Sequence, residues 1–302
     1  MRVFVTGATG FIGAAVVQEL LQAGHRVLGL VRSDAGGKAL EAAGAEVHRG
    51  DLEDLASLQK GVAGVDGVVH TGFTHDFTRF KEMCENDRRV IAAMGAVLEG
   101  SGRPLVVTSG IGILAPGRLA VETDTPHFGP AAHPRAASEE AVAALVARGV
   151  NVSVVRLPPS VHGAGDHAFV PGLIGIARAQ GISAYLGNGR NLWPAVHRLD
   201  AAQLFRLALE KGTAGACYHG VAEQGVPLRD IAQVIGDRLN LPVVAKSREE
   251  AAGHFGWMAG FVGMDCPASS AWTQAQLGWR PTQPGLLADL DHAGYFDAAK
   301  AV

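Results

Sequence analysis

The stretch "VTGATGFIGAAV" (5–16) constrains the fold more than any other part of the chain. It sets Gly7, Gly10 and Gly13 between a short β-branched run, "RVFVT" (2–6), and apolar residues at helical spacing: Ile12, Val16 and Leu20, with Val17 and Leu21. Each glycine has a separate physical duty. Gly7 permits a tight turn, Gly10 lets backbone approach a pyrophosphate, and Gly13 lets the helix lie close on the strand. Thr9, Phe11 and Ile12 fill the turn and join the glycines as candidate dinucleotide ligands. The phosphates would rest on free N–H groups at the helix start. The competing reading is a glycine-rich turn without a ligand, and the strand–turn–helix context weighs against it.

The rest of the first half repeats this alternation. Strand patterns at 26–31, "AEVHRGD", "VDGVVHTG", "PLVVTSG" and 151–157 are separated by helix patterns near "KALEAAG", 53–62, 80–98 and the "AAHPRAASEEAV" stretch (131–142). In that stretch Pro134 fits a first helical turn, where its missing N–H is not needed. Short continuous apolar runs, each followed by a helix, describe a parallel sheet covered on both faces. After Pro158 the chain is less regular, with a helix over about 169–179, "SAYLGNG", "WPAVHRLD", a helix from Ala201 and "CYHGV". The expected fold is α/β: a Rossmann-type doubly wound parallel sheet with a smaller C-terminal α+β substrate lobe. Residues 1–160 form the dinucleotide half and 161–302 the lobe, sharing a soft, interleaved boundary.

A chain of 302 residues with 48% hydrophobic content can bury one large core or two fused ones. The net charge of −3 gives no basic footprint for nucleic acid or an anionic membrane surface. Apolar runs stop short of the ~20 residues a membrane span needs. The N-terminus reads as a strand and not as a signal peptide. Cys84, Cys217 and Cys266 have no CxxC spacing and read as reduced thiols of a cytoplasmic protein. The twelve histidines form no metal-ligand pattern on a helix, so no metal is expected. The expected partner is a small-molecule substrate.

The glycine spacing, GxxGxxG, resembles the short-chain dehydrogenase/reductase superfamily, in particular its extended and atypical, epimerase/dehydratase-like members. Further segments carry the resemblance along nearly the whole chain. "GDLED" implies Asp51 at the adenine amino group with Leu52 alongside. "VVHTGF" implies His70, Thr71 and Gly72 along the cofactor. "RLPPSVHGAG" implies Pro158, Pro159 and Ser160 at the nicotinamide end. "LGNGRNLWPAVHRLDAA" and "LGWRPT" resemble later segments of extended members. Strand two ends in "GLVRSDAG", which sets Arg32 and Ser33 where a 2′-phosphate would sit. Arginine gives charge-assisted bonds to phosphate, so NADP is the expected cofactor. Asp34, as a ligand of the NAD ribose, is the competing reading.

The resemblance also exposes a gap. The family's Tyr-x-x-x-Lys is absent: Tyr185, Tyr218 and Tyr295 are followed four places on by Gly189, Ala222 and Ala299. Aligned on "HPRAASEEA", His133 takes the tyrosine place and Ala137 the lysine place. Ser109 or Thr108, at the end of "VVTSG", stands near the family's serine. An imidazole of ordinary pKa ~6.5 suits proton transfer near neutrality, which makes His133 the first candidate acid/base. His162, with His167 and Asp166, and the pair His75 and Asp76 are others. A reaction that needs no side-chain acid, or solvated and packed histidines, are the competing readings. Arg156 and Arg198 read as contacts to phosphate or substrate or, more simply, as ion pairs with Asp200 or a helix end. Trp193, Phe169 and Trp257 would wall an apolar pocket or pack a core.

The sequence therefore reads as an NADP-dependent oxidoreductase acting on a small, fairly apolar carbonyl, imine or alkene. The alternatives are a non-catalytic dinucleotide-binding sensor or partner protein, and an epimerase or lyase that uses bound NAD transiently. By resemblance, the 80–98 helix and the alanine-rich helix after Arg135 could build a homodimer interface.

Overall fold

A computed structural model describes residues 1–129, 131–292 and 294–297. The glycine turn opens a parallel sheet of seven strands. They are β1 (Arg2–Thr6), β2 (Arg26–Val31), β3 (Glu46–Arg49), β4 (Gly67–His70), β5 (Leu105–Gly110), β6 (Val152–Leu157) and, returning from the second half, Cys217–His219. Their spatial order is Cys217–His219, β6, β5, β4, β1, β2, β3. The order reverses between β1 and β4, which makes the C-terminal ends of those strands the topological switch point where ligands bind in such sheets.

Helices cover both faces because strand residues alternate. Val3 and Val5 point into one core and Phe4 into the other. The first face carries α1 (Phe11–Gln22) and α2 (Asp34–Ala42). The second carries α3 (Leu55–Ala63), α4 (Phe80–Leu98) and α5 (Ala137–Ala147). Gly95 lets α4 and α5 close up, since a Cβ there would stand 2.3 Å from Leu145 Cδ1. The remaining strands are β7 (Ser160–His162), β8 (Ser183–Leu186), β9 (Leu192–His197), β10 (Cys217–His219, the seventh strand above), β11 (Glu223–Pro227) and β12 (Val243–Lys246). The remaining helices are α6 (Phe169–Gln180), α7 (Arg198–Lys211), α8 (Leu228–Leu239), α9 (Arg248–Phe255), α10 (Ala259–Val262), α11 (Ala271–Leu277) and α12 (Leu286–His292).

The C-terminal lobe is α+β. Strands β11, β9 and β7 make one small sheet, and β12 pairs with β8 in another. Its core gathers Trp193, Ile174, Ile231, Phe255 and Leu286. Helix α7 and β10 return to the main sheet, so the second half contributes Phe205, Leu209 and Tyr218 to the first core.

Several local expectations shift for physical reasons. The helix near "KALEAAG" begins earlier, at Asp34, because Ser33 Oγ accepts the Gly36 N–H as a cap. The helix expected from Ala201 begins at Arg198, capped by the His197 imidazole. Pro134 opens a 3₁₀ turn, Pro134–Ala136, and α5 starts only after it. Among the described residues no helix is long and apolar enough to cross a membrane.

Candidate dinucleotide and proton-transfer site

The glycine turn sits at the switch point with almost no spare space. A Cβ on Gly7 would stand 2.7 Å from Gly72 N, and Gly7 itself has φ +67°. A Cβ on Gly13 would stand 2.0 Å from Gly7 O. Backbone from the ends of β1 and β4 therefore touches directly, and the first turn of α1 packs down on it. Gly10 is the N-cap of α1 and has no side-chain cap, which leaves the first-turn N–H groups for an anion. Thr9 and Gly10 are exposed, and Phe11 and Ile12 half-buried, on the rim of this turn. Thr71 Oγ1 donates to Thr6 O at 2.7 Å and locks the turn from the β4 side. The residues present fit a dinucleotide on this geometry alone.

Two further atoms point to a ligand. Ser109 Oγ, at the end of β5, and Ser160 Oγ, just after β6, are buried and have no hydrogen-bond partner. Buried hydroxyls normally find a partner. Strand pairing sets Ser109 beside Arg156 and Gly110 beside Leu157, so Ser109 and the Pro158–Ser160 segment end neighbouring strands. Thr108 differs, because its hydroxyl already donates to His70 O at 2.7 Å.

His70 keeps its ring inside the protein. The ring is 1% exposed. Its Nδ1 bonds Thr6 Oγ1 at 2.6 Å and its Nε2 bonds Asp87 Oδ1 at 2.9 Å. Asp51 and Leu52 are half-buried at the β3 end, and Asp51 Oδ1 accepts the Glu53 N–H. At strand two, Arg32 Nε lies 3.7 Å from Asp51 Oδ2. Ser33 Oγ is occupied as a helix cap. Asp34 pairs with Arg49 at 2.8 Å. Both side chains read as 2′-phosphate ligands thus have partners within the protein.

His133 is the N-cap of the 3₁₀ turn, and its Nδ1 accepts the Arg135 N–H at 3.2 Å. Its ring meets Phe80 edge-on at 5.9 Å. Burial first, and the Arg135 charge second, hold its pKa below the ordinary histidine value. His75 is lowered by the same two causes in the same order. His162 is 1% exposed, bonds Asp289 Oδ2 at 2.8 Å and packs against the His197 ring. Asp166 accepts from the Tyr295 hydroxyl at 3.1 Å, and His167 meets Phe11 edge-on. Asp76 caps the short turn Phe77–Arg79.

An aromatic wall runs from Phe73 and Phe80 through Phe77 to Trp257, Phe261 and Phe169. Trp257 is 56% exposed, whereas Trp193 is fully buried core. Arg156 pairs with Glu139 at 2.7 Å and not with Asp200, whose carboxylate accepts the Thr282 and Gln283 N–H groups instead. Arg198 lies over the Phe11 ring. The three cysteines are unpaired thiols. Among the described residues no group of three His, Cys, Asp or Glu side chains could hold a metal ion. A cleft lined by Gln224, Ser270, Gln274 and Arg280 contains none of the candidate residues.

Residues 3–221 match the model of the NAD dependent epimerase/dehydratase family. The chain is 53% identical to the uncharacterized protein C2A9.02 of Schizosaccharomyces pombe, over 98% of this chain and 100% of that one. It is 32% identical to the 2-alkyl-3-oxoalkanoate reductase of Stenotrophomonas maltophilia, over 82% of this chain and 78% of that one. Among solved structures it is similar to the dTDP-glucose 4,6-dehydratase DesIV of Streptomyces venezuelae with NAD and TYD bound. That match has a TM-score of 0.77 and 22% identity, over 97% of this chain and 95% of the other. It is also similar to the dTDP-glucose 4,6-dehydratase of Bacillus anthracis in complex with NAD (TM-score 0.76, 15% identity, 97% and 95% covered).

These comparisons correct two expectations. Both dehydratase structures hold NAD, against the preference for NADP. They are dehydratases, and the family model is one of epimerases and dehydratases, against the reading as an NADP-dependent reductase. At strand two, Arg32 stands 3.7 Å from Asp51 and Ser33 caps α2, so neither side chain is left without a partner to mark a 2′-phosphate site.

Proposed function

The chain belongs to the NAD dependent epimerase/dehydratase family, and we propose that within it the protein works as an NAD-using epimerase or lyase on a small-molecule substrate. The closed glycine turn at the switch point, where Gly7 and Gly13 leave no room for a Cβ, supports the dinucleotide part of this reading, and the family match supports the reaction class. Gly7, Gly10 and Gly13 would receive the pyrophosphate, and Asp51 and Leu52 the adenine. Thr71, Gly72 and the Pro158–Ser160 segment would flank the nicotinamide end. Bound NAD would supply a hydride acceptor that returns the same hydride within one turnover.

The protein's own groups then orient the substrate and handle the proton. Ser109 Oγ, buried and unpartnered, is free to hydrogen bond a ligand oxygen. The Thr108 hydroxyl is spent on His70 O and serves the frame. Because His133 Nδ1 accepts a backbone N–H, the neutral ring carries its proton on Nε2, where it can be offered to a substrate oxygen.

The test is the dinucleotide content of the purified protein. Acid release followed by chromatography should yield NAD, and the bound dinucleotide should not turn over with added carbonyl compounds. Release of NADP, or steady consumption of external dinucleotide, would overturn the reading.

A further inference from the structure

Beside His133 lies a cluster of side chains that no sequence motif announces. Arg135 is one hub. Its Nη1 donates to Asp87 Oδ2 at 2.7 Å and to Ser138 Oγ. Its Nη2 donates to Thr108 O at 2.9 Å, and its guanidinium carbon lies 4.4 Å from the centre of the Phe73 ring. Asp87 is the other hub. It bonds His70 Nε2 through Oδ1 and accepts the Ser138 hydroxyl through Oδ2. His70 continues to Thr6 Oγ1, which accepts the Gly72 N–H at 3.1 Å. One run of bonds therefore joins the ends of β1, β4 and β5 to α4 and α5. Those strand ends carry Gly72, Thr108 and Ser109.

The Arg156–Glu139 pair shows what a purely structural pair looks like here. It is bidentate, and both side chains are at most 5% exposed. Arg135 is different, being 15% exposed, stacked on a loop aromatic and adjacent in the turn to His133. Its backbone N–H supplies the bond to His133 Nδ1, and its side chain brings a fixed positive charge to the same turn.

We propose that Arg135 is a positioning residue: its side-chain bonds to Asp87, Ser138 and Thr108 hold the turn in which its own backbone N–H fixes His133 as the Nε2-protonated imidazole, so that His133 meets a substrate oxygen as a hydrogen-bond donor. The role rests on the functional reading above, in which His133 faces the reacting oxygen. The backbone bond selects the tautomer, because an accepting Nδ1 cannot carry the proton. The guanidinium disfavours a second positive charge on the ring. The titratable groups around the Arg135 guanidinium are Asp87 and Cys84 from α4 and His75 from the loop after β4, and His70 reaches it through Asp87. Burial and the Arg135 charge together hold His133 below the ordinary histidine value. His75 reports the same field. Asp87, which burial alone would push up, is held well below the carboxylate range by Arg135 and His70, so it stays charged and keeps Arg135 in place.

The experiment is an imidazole titration by NMR on ¹⁵N-histidine protein, with His133 identified through His133→Asn. The wild-type ring should show the Nε2–H tautomer and a midpoint below ~6.5. Arg135→Gln should raise that midpoint toward the ordinary value, and Arg135→Lys should keep it low. Asp87→Asn, which leaves the Arg135 charge uncompensated, should lower it further and gives a second readout if Arg135→Gln fails to fold. A wild-type Nδ1–H tautomer would overturn the proposal. So would a folded Arg135→Gln protein with an unmoved His133 midpoint, or a midpoint that rises in Asp87→Asn. NAD binding measured on the same samples separates the two readings. Its absence from the wild type counts against the cofactor reading, whatever the titration gives.

Discussion

The glycine turn and the Arg135–Asp87 cluster share one edge of the sheet and are built on opposite principles. The turn works by missing atoms: Gly7, Gly13 and Gly72 bring backbone to backbone, and a Cβ on Gly7 or Gly13 collides. The cluster works by added atoms, with groups from Thr6 to Ser138 closing one bonded run. A site made by exclusion can be written in a few neighbouring residues. A site made by charge compensation needs partners that only the fold brings together, and it fails when one partner is lost.

The largest expected effect breaks the second kind of site. Asp87→Ala leaves Arg135 beside a cavity with its charge uncompensated, and should cost about 3–5 kcal/mol in urea unfolding. A loss below about 1 kcal/mol would mean that the pair is screened like a surface bridge. Gly13→Ala tests the first kind. A methyl group 2.0 Å from Gly7 O must open the turn, and overpacking of that size costs roughly 1–3 kcal/mol. NAD affinity should fall about tenfold to a hundredfold by titration calorimetry, and unchanged affinity would place the dinucleotide elsewhere.

His219 is a buried histidine of the frame, and His133 is the proposed acid/base. Burial first, and the Arg156 charge second, pull His219 down to about 4. Its folded value lies below its unfolded one, so the unfolded chain binds the proton more readily. This group therefore leaves stability undiminished above pH ~6.5 and lowers it progressively as pH drops toward 4, by about 3 kcal/mol in all. His219→Gln should flatten that part of the pH–stability curve, whereas His133→Asn should change it less. The smallest effect is that of Ser109→Ala. Removing a hydroxyl with no partner should shift stability by less than about 1 kcal/mol while weakening ligand binding. A loss of stability with unchanged binding would make Ser109 a frame residue.

The same contrast explains what the sequence discloses. The glycine triplet, the apolar runs of β1, β2, β4, β5 and β6, and the long amphipathic α4 are local patterns, and the sheet follows from them. The pairing of β12 with β8 is not local: Val243 meets Ser183, and short half-buried strands carry weak signals. Arg156 finds Glu139 on α5 and not Asp200, because both project from the β6–α5 layer that only packing defines. Arg32 looks free in the sequence because Asp51 comes close only when β2 and β3 pair. Arg135 stands two residues from His133 in plain view. Its importance depends on Asp87 and Thr108, which reach it only once α4 and β5 are in place.

The most direct test of the account is a side-by-side equilibrium titration of the dinucleotide-free protein with NADH and NADPH, read by nucleotide fluorescence. With Arg32 held near Asp51 and Ser33 spent on its helix, NADH should bind at the glycine turn and NADPH should bind more weakly. Tighter binding of NADPH, or binding of neither, would contradict the account.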